Sequence, residues 1–263
     1  MKKKNLGSHI FLIIICIYLL IPFAVTLVYS LFTSWDSILP SGFTLRNYQL
    51  LFTDSQFWLS MGRTILVSVI SVAISITILL LTMFVVVVEK PILGTYVQFV
   101  CMIPYALQGV ILSISIISLY SGTGSFLSNR LFMLFGAYSI LVLPYIYQGI
   151  RNNINAINAE MLIRAAQMLG CSEFKAYFFV VIPNIIQGVF VSALLAVSII
   201  FGDFVLANNI AGNNYQNIQV YLFTKLSVSS GLSSAIVVII FAVVFVITGS
   251  ILYFQGRKKD LKQ

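Results

Sequence analysis

The stretch Asn158-Ala159-Glu160-Met161-Leu162-Ile163-Arg164-Ala165-Ala166-Gln167-Met168-Leu169-Gly170-Cys171-Ser172-Glu173, running on to Pro183, lies between two long apolar runs. Its punctuation predicts a helix, a sharp turn and a second helix. Asn158 stands at a cap position, and Glu160 falls in the first turn, where the helix dipole favours an acid. Ile157, Met161, Ala165 and Met168 form an apolar stripe in steps of four, four and three, flanked by Leu162 and Leu169. Gly170 supplies a break or a left-handed C-cap. Ser172 can cap the second helix with Glu173 in its first turn, and Pro183 marks the start of the next apolar run. Such a hairpin either lies on a lipid interface or docks a protein. The small residues Ala165, Ala166 and Gly170, and the scarcity of Lys and Arg, favour protein docking.

Outward from this segment the chain is apolar in a way that excludes a water-soluble surface. Of its 263 residues 60% are hydrophobic and 8% charged, and the mean hydropathy is +1.03. A span needs about 20 apolar residues, and runs of that length occur at about 10–32, 64–88, 93–120, 131–150, 184–206 and 232–254. The expectation is an all-α polytopic membrane protein, a single domain of six transmembrane helices, with the hairpin in a loop at about 151–183. The first run is too long for a signal-peptide core and has no small-residue cleavage pattern after Ile21-Pro22-Phe23, so it reads as a retained span. Cys16, Cys101 and Cys171 are too scattered for a disulfide framework or a metal site.

The net charge of +8 does not indicate nucleic acid, because the basic residues sit at the chain ends and in short loops. With the N-terminus in the cytoplasm, eleven Lys and Arg fall inside: Lys2, Lys3, Lys4, Lys90, Arg151, Arg164, Lys175, Arg257, Lys258, Lys259 and Lys262. Four fall outside: Arg46, Arg63, Arg130 and Lys225. That asymmetry predicts both termini, and the hairpin, on the cytoplasmic side.

Arg164-Ala165-Ala166, three residues, Gly170, nine residues and Val180-Val181-Ile182-Pro183 resemble the EAA loop of permease subunits of bacterial binding-protein-dependent ABC importers. The resemblance implies the type I importer permease fold in the cytoplasmic (inner) membrane. It also implies that Glu160, Arg164, Ala165, Ala166, Gly170, Ser172 and Pro183 belong to an element that seats on a cytoplasmic ATPase dimer. It implies a second permease subunit, similar or identical, and an extracytoplasmic solute-binding protein. No Gly-x-x-x-x-Gly-Lys-Ser/Thr pattern is present, so the chain is expected to be no enzyme and to hold no cofactor, ATP and Mg being bound by the partner. One position departs from the motif: Arg164 occupies the place of its Glu, and Glu160, one helical turn earlier, is a replacement candidate.

Two residues are candidates for the translocation path. Asp203 is the sole acid in a predicted span, which is costly unless it faces protein or water; its alternative is a solvated acid at the interface. Gln108 is the other, although it and Gln148 also suit helix–helix hydrogen bonds. Pro104 and Pro144 are expected to interrupt the third and fourth spans. The external stretch Ser34 to Tyr48, the segment Phe201 to Asn208 and the pair Leu169-Gly170 resemble the polyamine, ferric-iron and phosphonate branch. Asp203 would suit a cationic solute such as spermidine or putrescine. The alternative function is an ATP-independent secondary transporter or channel, which the near absence of ionisable groups in the spans disfavours.

Overall fold

A computed structural model describes residues 6–34, 41–107, 109–122, 124 and 126–260. The helices are α1 (Leu6–Ser30), α2 (Arg46–Thr53), α3 (Ser55–Phe84), α4 (Leu93–Ala106), α5 (Gly109–Tyr120), α6 (Arg130–Ala156), α7 (Ala159–Met168), α8 (Glu173–Ala176), α9 (Ile182–Gly202), α10 (Ile218–Leu226) and α11 (Ser230–Asp260). Wide π-turns at Val85–Glu89 and Tyr177–Val181 extend α3 and join α8 to α9. Among the described residues five helices are long and apolar enough to cross a bilayer, six if the pair α4 and α5, bent by 102°, crosses as one broken span. The all-α polytopic reading therefore holds, with five to six spans. Helices are the solution for such a sequence because hydrocarbon offers no partner to an unpaired backbone group.

The chain divides into two compact units, one of residues 1–59 and 221–246, the other of residues 60–220 and 247–263. In the first, a short antiparallel ribbon pairs β1 (Phe32–Ser34) with β2 (Ser41–Phe43), in the register Phe32 to Phe43 and Ser34 to Ser41. Buried Asn47 donates from Nδ2 to the carbonyls of Ser30, at 3.0 Å, and Phe32, at 3.3 Å. A Cβ on Gly231 would come within 2.8 Å of that amide, so the second residue of α11 sits there without a side chain. Asp54, between α2 and α3, accepts from Tyr221 Oη at 2.7 Å, Lys225 Nζ at 3.1 Å and the Gln56 N–H at 2.9 Å. Between the first two apolar runs the chain is thus helical over Arg46–Thr53, and the second span starts at Ser55, ahead of the 64 expected.

The second unit is centred on α6, which passes close to α3 and α9. Against α3 the approach is made by hydroxyls: Ser71 and Ser75 donate to the carbonyls of Phe135, at 3.3 Å, and Ser139, at 2.9 Å, and Ser139 donates back to Ser71 at 3.2 Å. Against α9 it is made by glycines, since Cβ atoms on Gly149 and Gly188 would overlap Ser192 and Asn153. Small residues let membrane helices approach where no hydrophobic force drives them together. Contrary to expectation, α6 runs unbroken through buried Pro144. α4 likewise continues through Pro104 and ends at Ala106. A proline inside a helix removes one backbone donor, and both rings are buried within helices that continue past them.

Candidate functional site

The hairpin after α6 forms as its punctuation predicts, by partly different means. Asn158 is left-handed, with φ 52° and ψ 57°, and its side chain makes no capping bond. Its carbonyl instead accepts from the N–H groups of Met161, at 3.0 Å, and Leu162, at 3.3 Å. Ser172 is extended at the start of α8 and also makes no side-chain cap; its carbonyl accepts from Ala176 N–H at 2.8 Å. Gly170 has φ 82°. Around it the Gly170 N–H donates to Gln167 O at 2.8 Å and the Cys171 N–H to Ala166 O at 3.0 Å. Those two bonds make a Schellman turn. Across the turn Gln167 Nε2 donates to Glu173 Oε1 at 2.8 Å.

The inner face of α7 differs from the predicted stripe. Ala159 and Ile163 are buried, with Ala166 half-buried against the core, whereas Met161 and Ala165 are exposed and Met168 and Leu169 are each 90% exposed. Of the stripe residues only Ile157 packs inward. The helix carries two apolar strips, and periodicity does not say which one the rest of the chain covers. The hairpin is anchored by Tyr177, buried after α8, whose hydroxyl donates to Leu80 O at 2.9 Å. Phe84 meets Phe174, Tyr177 and Phe178 at ring-centroid distances of 5.8, 5.3 and 6.3 Å. These anchors were not singled out from the sequence; the clustering of aromatic residues at 174–179 was the available signal.

The seven docking candidates are therefore placed in different settings. Ala165, Gly170, Ser172 and Pro183 are exposed and Ala166 is half-buried. Arg164 and Glu160 are both exposed and form an ion pair one turn apart. The carboxylate proposed to replace the motif's acid is thus neutralised by the arginine that displaced it.

Asp203 ends α9 with an extended ψ of 119°. Its Oδ2 accepts from Tyr138 Oη at 3.0 Å and from Leu206 N–H at 2.9 Å. The carboxylate therefore caps the helical turn that follows and faces protein. Asn217 Nδ2 reaches the Asp203 carbonyl at 3.4 Å and Gln219 Nε2 the Phe201 carbonyl at 2.7 Å, so the last carbonyls of α9 are met by side chains. Gln108 lies outside the described residues. Gln148 Nε2 donates to Tyr105 Oη, at 3.4 Å, a bond between α6 and α4. Among the described residues no cluster of His, Cys, Asp and Glu could hold a metal ion.

A profile of the family described as binding-protein-dependent transport system inner membrane component matches residues 60–260. The chain belongs to that family. It is a multi-pass membrane permease of the ABC importer class, as the spacing around Ala165 and Gly170 implied. The match starts where the second compact unit starts, and it includes the hairpin and Asp203. The permease is similar to a spermidine/putrescine transport system permease protein PotC homolog of Mycoplasma genitalium, 24% identical over 228 residues, covering 81% of this chain and 79% of that one. A protein of the same description from Mycoplasma pneumoniae is 21% identical over 162 residues, 61% of this chain and 56% of that one. A probable ABC transporter permease protein of Mycoplasma genitalium is 24% identical over 190 residues, 64% of this chain and 57% of that one.

Proposed function

We propose that this permease is the membrane half of an ATP-driven polyamine importer. Paired with a second permease, similar or identical, it encloses the solute path and seats its hairpin on a cytoplasmic ATPase dimer that binds ATP and Mg. Both termini lie in the cytoplasm, and an extracytoplasmic binding protein delivers the solute. The observation that supports docking most directly is the outward strip of α7: Met161, Ala165, Met168 and Leu169 project beside a Schellman turn, with no covering element among the described residues. Spermidine and putrescine are supported by the descriptions of two relatives and by Asp203 at the end of α9, where a carboxylate attracts cations.

The test is affinity purification of the tagged permease from native membranes in mild detergent, beside an Ala165→Glu, Gly170→Arg variant, combined with uptake of labelled spermidine. Recovery of an ATPase with the wild type alone, and uptake abolished by ATP depletion, is the expected result. Recovery of the chain without an ATPase, with uptake that collapses with the ion gradient, would replace the proposal with a secondary transporter.

A further inference from the structure

The outward face of α6 changes character along its length. Phe132, Gly136 and Ile140 are exposed in its first half; in its second half the exposed side moves round the helix to Gln148 and Asn152, with half-buried Tyr145 beside them, the spacing of three and four keeping these three together. α6 has 27 residues, about 40 Å at the helical rise, against a hydrocarbon core of about 30 Å. Gln148 stands eight residues before its end at Ala156, about 12 Å along the axis. An exposed carboxamide at that depth is costly against lipid tails, so this face meets water or protein.

The neighbours of Gln148 belong to a single cluster. Tyr105 on α4 is 46% exposed, and its ring packs edge-to-face with that of Tyr145, with centroids 5.1 Å apart and planes at 79°. Gln148 Nε2 is held by Tyr105 Oη at 3.4 Å and lies 3.8 Å from Met102 Sδ. Its Oε1 accepts no hydrogen bond among the described residues. Neither α4 nor α6 contains an Asp or Glu. The nearest cation along α6, Arg151, is committed elsewhere, donating to Gln98 Oε1 and lying 5.8 Å from the centre of the Tyr147 ring.

We infer that Tyr105, Tyr145 and Gln148 form a water-facing wall of the translocation path that passes an ammonium-bearing solute. Ring faces attract ammonium groups through their quadrupole, and the free Oε1 accepts one of their N–H bonds. The lack of a carboxylate keeps the hold weak enough for the solute to leave, as conduction requires. The inference deepens the proposed polyamine import and rests on it.

The experiment uses the complete importer with its ATPase, second permease and binding protein, in cells without other polyamine uptake, with labelled spermidine as probe. Tyr105→Leu and Tyr145→Leu are expected to lower uptake at least about tenfold, with the ATPase still co-purifying. Phe at the same positions keeps the ring and restores uptake toward the wild-type rate. With Cys16, Cys101 and Cys171 replaced, Gln148→Cys is expected to react with a cationic methanethiosulfonate, and spermidine to slow that reaction. An unreactive Gln148→Cys would overturn the inference, as would Leu variants within twofold of wild type. These results would leave polyamine import standing. Absence of spermidine uptake by the wild type would remove the polyamine reading and this inference together.

Discussion

The side-chain amide of Asn153 occupies the place where a Cβ on Gly188 would stand. Its Nδ2 donates to Gly149 O at 2.7 Å, so an α6 side chain, itself bonded to α6, is seated against a bare α9 backbone. Gly188→Ala is expected to destabilise the permease by about 1–3 kcal/mol through overpacking. Asn153→Ala should recover part of that loss by vacating the space. Thermal unfolding followed by size-exclusion chromatography in detergent checks both, and an additive double variant would contradict the contact.

Gly170 differs in kind, because a Cβ there would meet nothing within 4 Å. Its requirement is the φ of 82° alone. Gly170→Ala should cost about 1–2 kcal/mol, and Gly170→Asn less, since Asn tolerates the left-handed region. ATPase recovery should follow the same order; equal recovery with Ala and Asn would show that the turn does not set the docking geometry.

The ion pair of Arg164 with Glu160 is exposed and one turn apart, a geometry worth about 0.3–0.5 kcal/mol. Glu160→Gln should therefore leave thermal stability within error and weaken ATPase association more than Glu173→Gln, which still offers Gln167 an acceptor. Equal effects on association would exclude Glu160 as the replacement for the motif's acid.

Burial pushes the pKa of Asp54 up, but hydrogen bonds from Tyr221, the Gln56 N–H and Lys225, with the charge of Lys225, outweigh it and hold the pKa below its ordinary value. A group depressed in the folded state contributes fully above its unfolded pKa of about 3.9 and loses that contribution as pH falls through the folded value. Asp54→Asn should lower the melting temperature at pH 7 and narrow its gap to wild type as pH drops below about 4. A gap independent of pH would show that the ionised form adds nothing.

Asp203→Ala removes a capping acceptor and should cost about 1–2 kcal/mol. Asp203→Asn retains an oxygen for Tyr138 and Leu206 while removing the charge. If the carboxylate serves the path, the Asn variant keeps near-native stability and loses spermidine uptake. Uptake unaffected by Asn assigns Asp203 to the cap alone.

The polytopic helical class, the hairpin and its turn at Gly170 were legible in the amino-acid sequence, because each depends on local quantities: apolar run length, backbone preference at Gly170 and the spacing of Ala165, Gly170 and Pro183. The face that α7 buries was not legible, since Ile163 and Met161 are both apolar and only the packing of the helix on the rest of the protein leaves one buried and the other exposed. The roles of the capping residues also depended on the surroundings. Asn158 and Ser172 give their carbonyls rather than their side chains, and Asp203 finds Tyr138 65 residues away. The pairing of Asn153 with Gly188 and of Gln148 with Tyr105 joins positions far apart in the chain. Hydropathy records how apolar a residue is, and only the approach of two helices decides whether a polar side chain is seated against backbone or left facing the path.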